Sequence, residues 1–129
     1  MSPTLVAEDV SAVSAELPLE QLRAAGIRIP RPAEVRDYVR QFPDIVPAVH
    51  QACDLTVAEF AGQATLSLEV YVDPEIDDSY LTLYVQKEGY DAATSEAIEG
   101  IFEIYAEGMI NSAGWMMVMQ DIRGGVQHV

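Results

Sequence analysis

The sequence predicts an α+β domain with its elements in the order ααββαβ, a three-stranded mixed or antiparallel sheet, and helices on one face. Three observations carry the prediction: strict apolar and polar alternation over residues 65–85, helical stripes on both sides of it, and a final apolar run, WMMVMQDI. TLSLEVYV and SYLTLYV flank the acidic loop DPEIDD, the period-two signature of a β-hairpin. Leu66, Leu68, Val70 and Val72 face one way in the first strand, as Leu81, Leu83 and Val85 do in the second. An isolated hairpin is marginal in water, so this aliphatic side requires helices laid across it and a further strand.

The elements follow in order. Val6, Val10, Val13 and Leu17 recur at spacings of four, three and four, an amphipathic helical arm bearing Glu8, Asp9 and Glu16. Pro18 interrupts it, Leu19 to Ala25 form a turn or two with Gly26 as a left-handed exit, and IRIPRP reads as extended. Residues 1–30 are therefore expected to be an arm and linker, 31–123 the domain, and 124–129 a disordered tail. Val35, Tyr38, Val39 and Phe42 mark a first domain helix with Pro32 in its first turn and Pro43 ending it. Asp44 is the expected N-cap of a second, whose buried stripe is Val46, Val49, Cys53, Val57 and Phe60, with Gly62 at its exit. After the hairpin, Asp91 caps a helix through about Ile110 with Ile98, Ile101, Phe102, Tyr105 and Met109 inward. The unbroken apolar character of WMMVMQDI predicts a strand that is central or covered on both faces.

Charge narrows the function classes. The net charge is -14, with nine acids against five Arg in residues 1–62 and twelve acids against Lys87 and Arg123 in residues 63–129. Nucleic-acid affinity comes largely from Lys and Arg displacing counterions, so a nucleic-acid partner is not expected. A basic protein partner is one reading of the acidity, and a plain acidic surface is the other. There is no 18-residue apolar run and no secretory leader pattern, so the expectation is a cytoplasmic protein with no membrane partner. Cys53 is the single cysteine and has no intramolecular disulfide partner.

LSLEVYVDPEIDDSYLTLYV, preceded by YVRQFPDIVPAV and followed by GWMMVMQDIR, resembles a group of small bacterial proteins that have no established activity. The resemblance spans about two-thirds of the chain and leaves out the N-terminal arm. It implies a bacterial intracellular setting and transfers no cofactor or site residue.

Each candidate for chemistry has a plain structural reading beside it. Asp73, Glu75, Asp77 and Asp78 supply oxygen ligands for a hard cation. Against an EF-hand, however, Pro74 is out of place, Asp78 stands where Gly is needed and Tyr84 where the closing Glu belongs; a solvated turn explains the same residues. His50 and Cys53 lie three apart on one helix, but Cys53 shares the stripe of Val49 and Val57 and reads as a core thiol. Glu96, Glu99, Glu103 and Glu107 form a carboxylate row or simply a wet helix face. Arg31, Arg36 and Arg40, interspersed with Glu34 and Asp37, read as a mixed-charge face. His128 is the penultimate residue and has no sequence partner.

Tyr71, Tyr80 and Tyr84 fall opposite the aliphatic side of the hairpin, where large amphipathic rings suit an interface. Either the arm covers them or another protein or a second copy does. The leading expectation is a non-catalytic acidic interaction domain, in one form an antitoxin-like neutralising partner of a basic protein. It would use Tyr71, Tyr80 and Tyr84 together with Val6, Val10 and Val13, without a cofactor. The alternative is a small metal-dependent enzyme or ligand-binding domain built on Asp73, Glu75, Asp77 and Asp78.

Overall fold

A computed structural model describes residues 17–75, 78–88 and 92–121. In chain order these form α1 (Leu19–Ala24), β1 (Ile27–Arg28), α2 (Pro32–Gln41), a 3-10 turn (Pro43–Ile45), α3 (Val46–Phe60), β2 (Thr65–Asp73), β3 (Asp78–Gln86), α4 (Ala92–Tyr105), a second 3-10 turn (Ala106–Met109) and β4 (Met116–Gln120). The fold is α+β around one mixed sheet of four strands in the order β1-β2-β3-β4. β2 and β3 are antiparallel, while β1 on β2 and β4 on β3 are parallel.

The hairpin register follows from the alternation. Leu66 pairs with Val85, Leu68 with Leu83, and Val70 with Leu81, while Tyr71 pairs with Tyr80 on the opposite face. Leu66, Leu68, Leu81, Leu83 and Val85 join Ile27, Met116 and Val118 in a core with Val35, Val39, Ile45, Val46, Val49, Cys53, Ile98, Ile101 and Tyr105 from the helical segments. The strand residues of β2, β3 and β4 in that cluster all lie on one face of the sheet.

Three expectations are corrected. The sheet has a fourth strand, formed by Ile27 and Arg28 pairing with Leu66 and Ser67; two residues are too few for any periodicity to announce a strand. Residues 17–30, which the sequence placed in the arm and linker outside the domain, bury Leu17, Leu19, Leu22, Ile27 and Ile29 in the core. Gly26 closes α1 with φ +106°, as its expected left-handed exit requires. Finally, β4 lies at the sheet edge rather than centrally. Its apolar run arises because the core takes Met116 and Val118 while the other face keeps Met117 and Met119 half-buried.

The helix ends differ in detail. Asp44 does not cap α3: Ile45 is its N-cap residue, with no side-chain cap, and Asp44 instead accepts a 2.7 Å hydrogen bond from the Ser112 hydroxyl. The last helix stops at Tyr105 and tightens into the 3-10 turn. Gly108 lies so close to α3 that an added Cβ would stand 3.2 Å from the Ala48 Cβ. Of the inward residues expected on the helices, Val57, Phe42 and Phe102 are half-buried against the core and the rest are buried; on the aliphatic side of β2, however, Val70 is half-buried and Val72, near the hairpin turn, is 60% exposed. Asp91 lies outside the described residues.

The loop entering β4 is pinned from several sides. The Trp115 N–H donates to the Tyr38 hydroxyl at 2.9 Å, and that hydroxyl lies 3.3 Å from the Trp115 carbonyl and 3.4 Å from that of Ser79. Burial, aided by Asp78, raises the Tyr38 pKa against the hydrogen bond from Trp115. Gly114 packs under Phe42, where a Cβ would approach the Phe42 Cβ to 2.6 Å. Tyr38 and Phe42 stack at 4.8 Å between ring centroids. One tyrosine on α2 thereby ties the starts of β3 and β4 together.

Candidate functional site

The sheet face opposite the core carries a grid set by strand register. Tyr71 lies across from Tyr80; Glu69, Thr82 and Met117 form the next row; Ser67, Tyr84 and Met119 form the third. Alternation also brings Trp115 to this side, and its indole N–H reaches the Met117 sulfur at 3.0 Å. The predicted tyrosines thus share one face, but their exposure is graded. Tyr71 is 37% exposed, Tyr80 is half-buried and Tyr84 is buried. The Tyr71 and Tyr80 rings pack at 5.2 Å. Burial, then Tyr71, Asp73 and Asp78, hold the Tyr80 hydroxyl above its ordinary pKa. Val6, Val10 and Val13 lie outside the described residues.

The centre of this grid is Thr82. Its side chain is fully buried, yet its hydroxyl has no hydrogen-bond partner. Its neighbour Glu69 accepts a 2.8 Å bond from Ser67 instead. Elsewhere the fold satisfies such a group: the Thr56 hydroxyl, equally buried in α3, donates to the Ala52 carbonyl at 2.7 Å. Sequence alternation could place Thr82 on this face, but it gave no sign that the hydroxyl would be unpaired.

A groove of about 460 Å³ runs along the outer side of β4, lined by Ile98, Glu99, Phe102 and Glu103 of α4 and by Met117 and Val118. Phe102 packs against Trp115 at 6.0 Å between centroids, so the groove continues the Trp115 and Met117 side of the grid. Beneath it, the buried Tyr105 hydroxyl donates to the Met116 carbonyl at 3.3 Å. Burial pushes the pKa of Tyr105 up to about 12, while a backbone hydrogen bond from Val118 works against the shift. Tyr105 therefore occupies polar groups on the free edge of β4, the position a further strand would need.

The acidic hairpin loop has local partners. Asp73 Oδ1 accepts the Glu75 N–H at 2.9 Å, and Asp78 Oδ1 accepts the Ser79 N–H at 2.9 Å, the turn chemistry of Asp side chains. Asp77 lies outside the described residues, and among those described no three His, Cys, Asp or Glu side chains converge as metal ligands. Cys53 is 1% exposed, and burial, followed by the charge of Asp54, pushes its thiol up to about 12. A reactive thiol needs the opposite shift. His50, on the same helix, is half-buried.

Glu96, Glu99, Glu103 and Glu107 are all exposed, but Glu99 and Glu103 also flank the groove. Their spacing was legible in the sequence; the edge strand beside them was not. Arg31 and Arg40 are exposed and pair with Glu34 at 3.5 Å and Asp37 at 3.8 Å, contacts worth little at such exposure. No described helix is long and apolar enough to cross a membrane. Neither protein-family models, nor curated proteins, nor solved structures yield a match to this chain.

Proposed function

We propose that this chain is a non-catalytic protein-interaction domain that meets its partner through the sheet face bearing Tyr71, Tyr80, Met117 and Met119. The observation that supports it is the two-sidedness of the sheet. The core takes the aliphatic residues of β2 to β4 from one face, while the other presents aromatic and thioether side chains around a buried, unpaired hydroxyl. Tyr and Met are enriched at protein contacts because they offer area together with polarity or adaptability. The charge of -14 favours a basic partner over a second copy, which would bring like charge to like. A neutralising partner of a basic protein, as an antitoxin is, fits this chemistry.

A photo-crosslinking residue placed at Tyr71 or Tyr80, compared with one at exposed Glu59 on α3, tests the reading in cells of the native host. A discrete adduct with one other protein from the sheet positions alone is the expected result. If those positions yield nothing beyond the Glu59 background, and the purified chain is strictly monomeric by light scattering, the interaction reading is wrong.

A further inference from the structure

The groove between α4 and β4 has a chemistry that specifies its occupant more closely than the sheet face does. Its floor is apolar, made by Ile98, Phe102, Met117 and Val118, and its rim carries Glu99 and Glu103. Those two carboxylates are four residues apart on a helix, roughly 6 Å along the axis at 1.5 Å per residue. The acidic surplus of residues 63–129, twelve acids against Lys87 and Arg123, is centred on this half of the chain.

From this arrangement we infer that the groove binds a cationic amphipathic helix of another protein, apolar residues on Phe102 and Met117 and Lys or Arg at Glu99 and Glu103. Entry by side chains rather than by strand addition follows from Tyr105, whose hydroxyl engages the Met116 carbonyl and the Val118 backbone. A strand laid on β4 would have to displace it. A helix makes no such demand, because its backbone groups are already paired and its apolar stripe is what a groove accepts. The same charge pattern disfavours the other occupants: a second copy would bring its own carboxylates to these, and an acidic helix would be repelled.

The inference rests on the proposed interaction role but is tested separately from it. Trp115 is the single tryptophan and touches both Phe102 and Met117, so its emission reports occupancy of the groove. The full chain is titrated with a short Leu and Lys peptide patterned as an amphipathic helix. A peptide of the same composition with the pattern scrambled and a Leu and Glu peptide serve as comparisons.

Saturable change in Trp115 emission with the amphipathic cationic peptide alone is the expected result. The paired change Glu99→Gln with Glu103→Gln should weaken it roughly five- to tenfold, the worth of two exposed ion pairs. Asp54→Asn with Glu59→Gln, equal in charge but on α3, should leave it unchanged, and Met117→Ala should weaken it at constant charge. Equal binding of the scrambled peptide, or equal weakening by both pairs of substitutions, would show diffuse attraction to an acidic protein and overturn the groove. A doubled solution mass without peptide that Met117→Ala abolishes would assign the groove to a second copy instead, and also overturns the inference. Any of these failures leaves crosslinking at Tyr71 and Tyr80 to stand or fall by itself.

Discussion

Replacing Thr82 by Val should make the protein more stable. The Thr82 hydroxyl is buried with no hydrogen-bond partner, and a group in that state costs about 1–3 kcal/mol relative to one left in water. Val has nearly the same shape, suits a strand, and exchanges the unpaired hydroxyl for a methyl that packs between Glu69 and Met117, its cross-strand neighbours. Allowing part of the gain for imperfect fit gives roughly 1–2 kcal/mol, equivalent to about 4–8 °C in midpoint for a domain of this size. Urea denaturation reads this as a higher midpoint at unchanged slope. Thr82→Ser is the control: it keeps the hydroxyl, removes the methyl and should lose stability. A loss of about 1 kcal/mol or more in Thr82→Val would mean that the hydroxyl is hydrogen-bonded in solution and carries no burial penalty to relieve.

Three other perturbations follow from the same geometry. Tyr38→Phe removes the acceptor of the Trp115 N–H and should cost about 1–3 kcal/mol in denaturant titration, while the ring contact with Phe42 remains. Gly114→Ala drives a methyl to 2.6 Å from the Phe42 Cβ; overpacking of this kind costs about 1–3 kcal/mol and should lower the thermal midpoint while altering Trp115 emission. The Cys53 and Tyr105 pKa values, raised from 9.0 and 10.0 to about 12, favour the neutral forms in the fold. Their contribution is therefore complete below the unfolded-state values and lost as pH climbs through the folded ones. Stability should fall between pH 9 and 12, followed by denaturant titration at each pH, and native Cys53 should react with a thiol reagent only as fast as the domain opens.

The hairpin was readable because apolar and polar residues alternate over two strands, which put Tyr71 and Tyr80 on one face; alternation does not choose between registers two residues apart, so their direct pairing was not readable. Gly26 and Gly62 were readable too, as helix exits with positive φ, +106° and +78°. Signals that depend on long-range contacts were not. β1 is a strand only because β2 lies beside Ile27 and Arg28; by itself the segment is a short extended stretch of three residues between Gly26 and Pro30. Asp44 had the right type and position for an N-cap, but Ser112, 68 residues later, takes its carboxylate. Glu99 and Glu103 could be read as a solvated face and are one, yet their place beside an apolar groove follows only once α4 is laid against β4.

In the proposed reading, the two sides of the sheet divide the work of stability and contact. Burial of Leu68, Leu81, Leu83 and Met116 at 0% exposure makes the aliphatic face the cohesive one, since apolar area removed from water is the main favourable contribution to folding. The opposite face contributes less cohesion, because Glu69 and the buried, unpaired Thr82 hydroxyl stand among its rings and thioethers. Nor is the edge of β4 open to indiscriminate pairing, with the Tyr105 hydroxyl fixed to it. A sheet protected in this way against adding strands, with Tyr71 and Tyr80 on its outer face and a groove beside α4, has the features the proposed recognition by side chains requires: charge to select a partner and ring contacts to hold it.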